Sequence, residues 1–250
     1  MVNWYSHYQK EQDVWIQDQI TGYFHRYFMT GEKTDIILTT AASKGDKIIS
    51  VSSDHGITSE DCLLIVNGNY TQQVIVVSVS NDDITINYAI GKDLSIADTT
   101  IIRGSIEMNI DASGTPVTFY CRPYVNIPVD ILHIHIFFTD NLEGDDSKYG
   151  GIGALTNGSY CRQEDGDHCN LGLYKSNRDF IEHGAISKYT NKAGGGNYTM
   201  DFAFNTKEPY GIVLRLDPEK GEFLSFTIQD DLTDLISHRV VATGHLTKGE

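Results

Sequence analysis

The sequence predicts a mainly β protein with three parts: an N-terminal helix, a small β-barrel-like module, and an antiparallel β-sandwich of jelly-roll type. Three observations carry this expectation. Short runs of alternating apolar and polar residues recur from Thr34 onward. Tight-turn signals such as Asn67-Gly68 and Asp217-Pro218-Glu219-Lys220-Gly221 separate them. Helical spacing of apolar residues is confined to the first thirty or so positions.

The helix is expected over residues 7–29. Ser6 and Gln9 stand at capping-box spacing. Trp15, Ile16, Ile20, Tyr23, Phe24 and Tyr27 recur at three- and four-residue intervals, and Gly31 would stop the helix. The stripe is aromatic, and Trp4, Tyr5 and Tyr8 extend it upstream. Tyrosine and tryptophan suit surfaces that are wet when free and dry when bound. Residues 1–33 are therefore expected to be a docking segment, with Trp4, Tyr8, Trp15, Ile20, Tyr23, Phe24 and Tyr27 meeting a partner or further copies of the chain. The competing reading packs the stripe on the chain's own sheet.

Residues 34–103 read as five short strands about tight turns, the size of a small barrel. Cys62 opens the apolar run Leu63-Leu64-Ile65-Val66 and reads as a core thiol. His55-Gly56 falls in a turn, where a lone histidine is expected to be solvated. Residues 104–250 carry longer strands and no helical pattern, as in a sandwich. The longest begins PVDILHIHIFF: Leu132, Ile134 and Ile136 are expected on one face, His133 and His135 on the other.

Charge and composition limit the functions available. The chain has 250 residues, 34 acidic against 19 basic, and a net charge of −15. Nucleic acid would meet net repulsion, and no basic run offsets it; Arg122 stands alone in the sequence. No run approaches eighteen apolar residues, so no membrane insertion is expected. The first residues lack a basic stretch followed by an apolar one, so no secretory signal is expected. The four cysteines are no disulfide framework. Cys161 and Cys169 flank RQEDGDH and could face one another across a hairpin, although free thiols are the simpler expectation.

Three constellations could hold chemistry. His133 and His135 share a strand face and could reach one metal, as in cupin-like sandwiches; exposed strand histidines are the alternative. Asp140, Asn141, Glu143, Asp145 and Asp146 supply hard oxygens that could hold calcium, with a solvated loop as the alternative. Cys161, His168 and Cys169, beside Glu164, Asp165 and Asp167, lack a fourth zinc ligand. Serine, histidine and aspartate form no nucleophile–base motif. No cofactor is expected, and the chain is expected not to be an enzyme.

The segment TDIILTTAASKGDKIISVSS, followed by CLLIVNGNYTQQVIVVSVSNDDITINYAI, resembles a small β module of tailed-bacteriophage virion proteins. Its pattern is strand, Ala-Ala-Ser-x-Gly-Asp turn, strand, hairpin. GGIGALTNGSYCR, YGIVLRLD and FLSFTIQDDLTDL resemble phage structural proteins with a C-terminal β-sandwich. The resemblance covers most of the chain after residue 30. It implies a virion component of the tail, baseplate or neck, assembled in the host cytoplasm, oligomeric, and bound to other virion proteins. It assigns no site residue. The alternative from another class is a carbohydrate-binding or cupin-like metal-binding module.

Overall fold

The structure is a computed structural model that describes residues 23–31, 33–68, 70–123, 127–140, 155–164, 169–172, 185–190, 196–204 and 214–247. It is mainly β, and its sheets are antiparallel. Two compact units divide it at Ser105/Ile106, with Phe24–Thr30 belonging to the second unit.

The expected N-terminal helix is corrected where it can be seen. Residues 23–27 form a strand, β1 (Tyr23–Tyr27), which from Phe24 onward belongs to the second unit. Residues 1–22, with Trp4, Tyr8, Trp15 and Ile20, lie outside the described residues. Phe24, Arg26 and Phe28 are buried, while His25 and Tyr27 are half-buried, which is period two. Phe24 and Phe28 are four apart, so the same pair also fits a helix; a short apolar run does not separate the two periods. Aromatic residues favour a pleated surface, and here that surface is the edge of the C-terminal strand, which pairs with β1.

The first unit contains β2 (Lys33–Ile37), β3 (Ile48–Ser50), β4 (Cys62–Asn67), β5 (Tyr70–Ser80), β6 (Asp83–Ile86) and β7 (Thr99–Gly104). They form one curled, half-barrel sheet in the order β2-β7-β4-β5-β6-β3. Its two edges meet at one end: Thr39 N donates to Ser50 O and Ser52 N to Ile37 O, both at 2.9 Å. Inside lie Ile36, Leu38, Val51, Leu63, Ile65, Ile84 and Ile101. The hairpin of β4 and β5 turns at Gly68, one residue later than Asn67-Gly68 suggests, because Asn67 still pairs with Tyr70. Gly68 has φ 58°, which glycine adopts without penalty. Gln72 is fully buried: its amide donates to Ala89 O at 2.9 Å and its carbonyl oxygen accepts from Tyr70 Oη at 2.6 Å.

The second unit adds β8 (Val117–Cys121), β9 (Val129–Asp140), β10 (Tyr160–Glu164), β11 (Cys169–Gly172), β12 (Ala185–Thr190), β13 (Gly196–Ala203), β14 (Leu214–Leu216), β15 (Phe223–Ile228) and β16 (Leu235–Leu246). One sheet runs β1-β16-β9-β13-β12, with β14 also on β9; the other runs β11-β10-β15-β8. Their apolar faces meet in a sandwich-like core, where the Phe226 ring lies 6.3 Å from Phe28 and 6.1 Å from His238. The chain after β1 steps between the sheets: Phe28 N donates to Val240 O at 2.9 Å, and Met29 and Tyr120 exchange two backbone hydrogen bonds.

The longest strand departs from simple alternation. Val129 and Ile131 are buried, then Ile134, Ile136, Phe138 and Asp140, so the inward phase shifts by one. The shift is a bulge: Thr243 pairs with His133 and Gly244 with Ile131, leaving Leu132 unmatched and half-buried. This corrects the grouping of Leu132 with Ile134. Gly244 opposes the bulge so closely that a Cβ there would stand 2.1 Å from the Asp130 carbonyl oxygen. Backbone cannot swing aside as a side chain can. Gly244→Ala is expected to lower stability by about 1–3 kcal/mol or to shift the β9–β16 register. Urea denaturation checks this, and wild-type stability would contradict the close approach.

A buried carboxylate anchors the approach to β10. Asp230 accepts from the backbone N–H groups of Thr156 (2.9 Å), Asn157 (3.0 Å) and Gly158 (2.7 Å). Gln229 and Asn157 add side-chain bonds to each other's backbone carbonyls. Three successive N–H groups around an oxyanion make an anion nest, filled here from within the chain. Asp230→Ala strands them and is expected to cost on the order of 2 kcal/mol. Hydrogen exchange of the 156–158 amides checks it; they should lose protection first.

Candidate functional site

The outer face of the sheet β10-β15-β8 carries aromatic, cationic and hydroxyl side chains on its two flanking strands. Strand alternation sends Phe119, Cys121, Cys161, Leu224, Phe226 and Ile228 inward, all buried. The outward positions form a grid through the registers of β15 with its two neighbours. Tyr160 lies level with Thr227 and Thr118, Arg162 with Ser225 and Tyr120, and Glu164 with Phe223; Arg122 follows directly on the end of β8. The central column, on β15, is buried. The flanking columns are half-exposed, except Arg122, which is exposed.

Each arginine of the grid lies on an aromatic ring. The Arg162 guanidinium stands 4.0 Å from the Tyr160 centroid. The Arg122 guanidinium stands 4.7 Å from Phe223 and 5.5 Å from Tyr120. Stacking holds the planar cation by its face and leaves its N–H edge outward. Glu164 accepts from the Ser225 hydroxyl, and the hydroxyls of Thr118 and Thr227 are 2.9 Å apart.

The arrangement has a signal in the sequence that the strand-by-strand reading overlooked. Tyr-Cys-Arg occurs twice, at Tyr120-Cys121-Arg122 and at Tyr160-Cys161-Arg162. Both copies sit on strands flanking β15, and both send cysteine inward and the Tyr–Arg pair outward. Burial pushes the Cys121 thiol up to about 12, partly offset by the nearby Arg26 charge. Burial, together with Cys121, pushes the Cys161 thiol up as well. These are core thiols, not nucleophiles.

The residues singled out from sequence are placed as follows. His133 and His135 share the outer face of the first sheet, beside Phe137, with ring centroids 5.3 Å and 5.9 Å apart in succession. The two imidazoles are parallel within 6°. An ion bound by an imidazole lone pair lies in that ring's plane, so one ion cannot serve both rings as stacked. Thr243 Oγ1 lies 3.4 Å from His135 Nε2. Asp140 is only 5% exposed and belongs to the inward row of β9, not to an open loop. Asp145 and Asp146 lie outside the described residues. Among the described residues, no group of three His, Cys, Asp or Glu side chains is placed to hold a metal ion. Cys161 is a free thiol, in line with the simpler expectation, and Cys169 pairs in register with Glu164. Of the docking stripe, Phe24 is fully buried in the second unit and Tyr27 is half-buried; Tyr23 lies in β1. His55 is 8% exposed rather than solvated: its Nδ1 accepts from Ile57 N at 2.8 Å, and its Nε2 donates to Asn81 O at 3.2 Å.

Among the described residues, no helix is long and apolar enough to cross a membrane. Comparison with family models, with curated proteins and with solved structures gave no match.

Proposed function

We propose that the chain is a non-enzymatic structural component of a tailed-phage particle, of the tail, baseplate or neck, whose second unit is a jelly roll. The supporting observation is strand order. The last strand, β16, lies between β1 and β9, and β15 lies between β8 and β10. Insertion of the two final strands between earlier ones supports a jelly-roll reading, an architecture used by viral capsid and lectin domains. Fold alone assigns no function, so the buried polar groups add weight. His55, Gln72 and Asp230 each hold backbone groups in place. Their chemistry serves architecture and recognition surfaces rather than turnover.

Contacts with neighbouring virion proteins are assigned to the aromatic segment that includes Trp4, Tyr8 and Trp15. Deleting residues 1–21 leaves β1 whole and so separates docking from folding. The shortened chain should fold and fail to enter particles, as judged by density-gradient sedimentation and immunoblotting. Equal incorporation of the shortened chain would refute the docking role. Absence of the full chain from purified particles would refute the virion assignment.

A further inference from the structure

We propose that the outer face of β10-β15-β8 is a binding site for a carboxylate-bearing polysaccharide, gripped by Arg122 and Arg162. The proposal stands apart from the particle assignment and needs only the second unit. Among the described residues neither guanidinium has a carboxylate partner: the Arg122 and Arg162 side chains lie against the rings beneath them. Two other described arginines of the second unit differ. Arg215 makes two hydrogen bonds to Asp130, at 2.7 Å and 3.0 Å, and Arg239 binds Glu107. On a chain of net charge −15, two uncompensated cations on one sheet face stand out from a surface rich in carboxylates.

The ligand's chemistry follows from what is presented. The aromatic faces are covered by the guanidiniums, so a ligand that stacks an apolar ring on Tyr160 or Phe223 is disfavoured. The exposed layer is a pair of N–H edges, each matching a carboxylate bidentately. Beside them the flanking strands offer the half-exposed groups of Thr118, Tyr120 and Tyr160, which complement a polyhydroxylated ligand rather than an apolar protein face. Across the two strand spacings the arginine columns lie about 10 Å apart, so one small anion does not span both. A polymer with successive acid groups does. Glu164 sits two residues from Arg162 and holds Ser225; its charge leaves the grid only weakly cationic. Screening confines the pull of the two guanidiniums to about 8 Å in physiological salt, so the ligand is selected by the planar carboxylate edge that each guanidinium matches bidentately, beside sugar hydroxyls, rather than by its total charge.

The test is calorimetric titration of the full chain with polygalacturonate, a polymer of uronic acid, beside neutral dextran and single-stranded DNA. The expected result is binding to polygalacturonate that weakens as salt is raised, with none to dextran and none to DNA. Arg122→Gln and Arg162→Gln should each weaken it about tenfold, a loss of one charge-assisted pair, and the double variant should abolish it. Arg215→Gln, which removes a guanidinium already paired, should bind as wild type does. Thermal melting of Arg122→Gln, at an exposed position, should match wild type, so lost binding there is not lost folding. No binding to polygalacturonate, equal binding by the double variant, or DNA binding of equal strength overturns the proposal.

Discussion

Phe28→Ala is expected to lower the stability of the second unit by about 3–5 kcal/mol. Phe28 is fully buried and its ring stands edge-on to Phe226 of the opposite sheet. Truncation removes the packing of both sheets at one point and leaves a cavity where neither backbone can close. The edge-to-face pair adds about 0.5–1.5 kcal/mol to the area term. Tyr27→Ala, half-buried on the other face of the same segment, should cost much less. A docking-helix reading predicts no penalty for either substitution in the free chain. Urea denaturation followed by circular dichroism decides between them, with hydrogen exchange to place the loss in the second unit.

The second large effect depends on pH. His238 lies wholly buried between the sheets, beside Phe226. Burial lowers its pKa from 6.5 to about 3, although a hydrogen bond to the Met108 backbone pulls the other way. The folded state therefore holds the imidazole neutral, while the unfolded chain binds a proton below 6.5. Stability from this group is fully present above pH 6.5 and is lost as pH falls toward 3. The loss is about 2 kcal/mol at pH 5, since each pH unit in that window is worth 1.36 kcal/mol. His238→Leu removes the titrating group, so the difference in stability between wild type and variant should shrink steadily from about pH 7 to about pH 4. A difference that stays constant with pH would show that His238 titrates alike in both states.

Much of the β architecture is legible in local residue order, and particular positions show where that stops. Phe202 and Phe226 stand at alternate positions of apolar runs in the sequence, and both are buried. The Asp217–Gly221 turn was also readable: Asp217 caps a short 3-10 turn over Pro218–Lys220, and Gly221 takes φ 73°. Leu132 was misassigned because the bulge depends on Gly244, more than a hundred residues later. His55 was misjudged because its two backbone partners, Ile57 and Asn81, come together only when the turns of the first unit are packed.

The candidate site divides the same way. The repeated Tyr-Cys-Arg tripeptide is present in the sequence, and alternation alone sends tyrosine and arginine to one face and cysteine to the other. The sequence by itself thus determined the β class, the Asp217–Gly221 turn and the two-faced character of the Tyr-Cys-Arg copies. Only tertiary structure decided that β15 lies between the two copies, bringing Arg122 and Arg162 onto one surface. The same holds for Tyr23–Tyr27, whose residues satisfy helix and strand periods alike. Local propensity differs there by fractions of a kcal/mol per residue, whereas burying a phenylalanine against a partner sheet contributes about 1.5–3 kcal/mol. The long-range term is the larger, and the available edge of β16 settles the conformation.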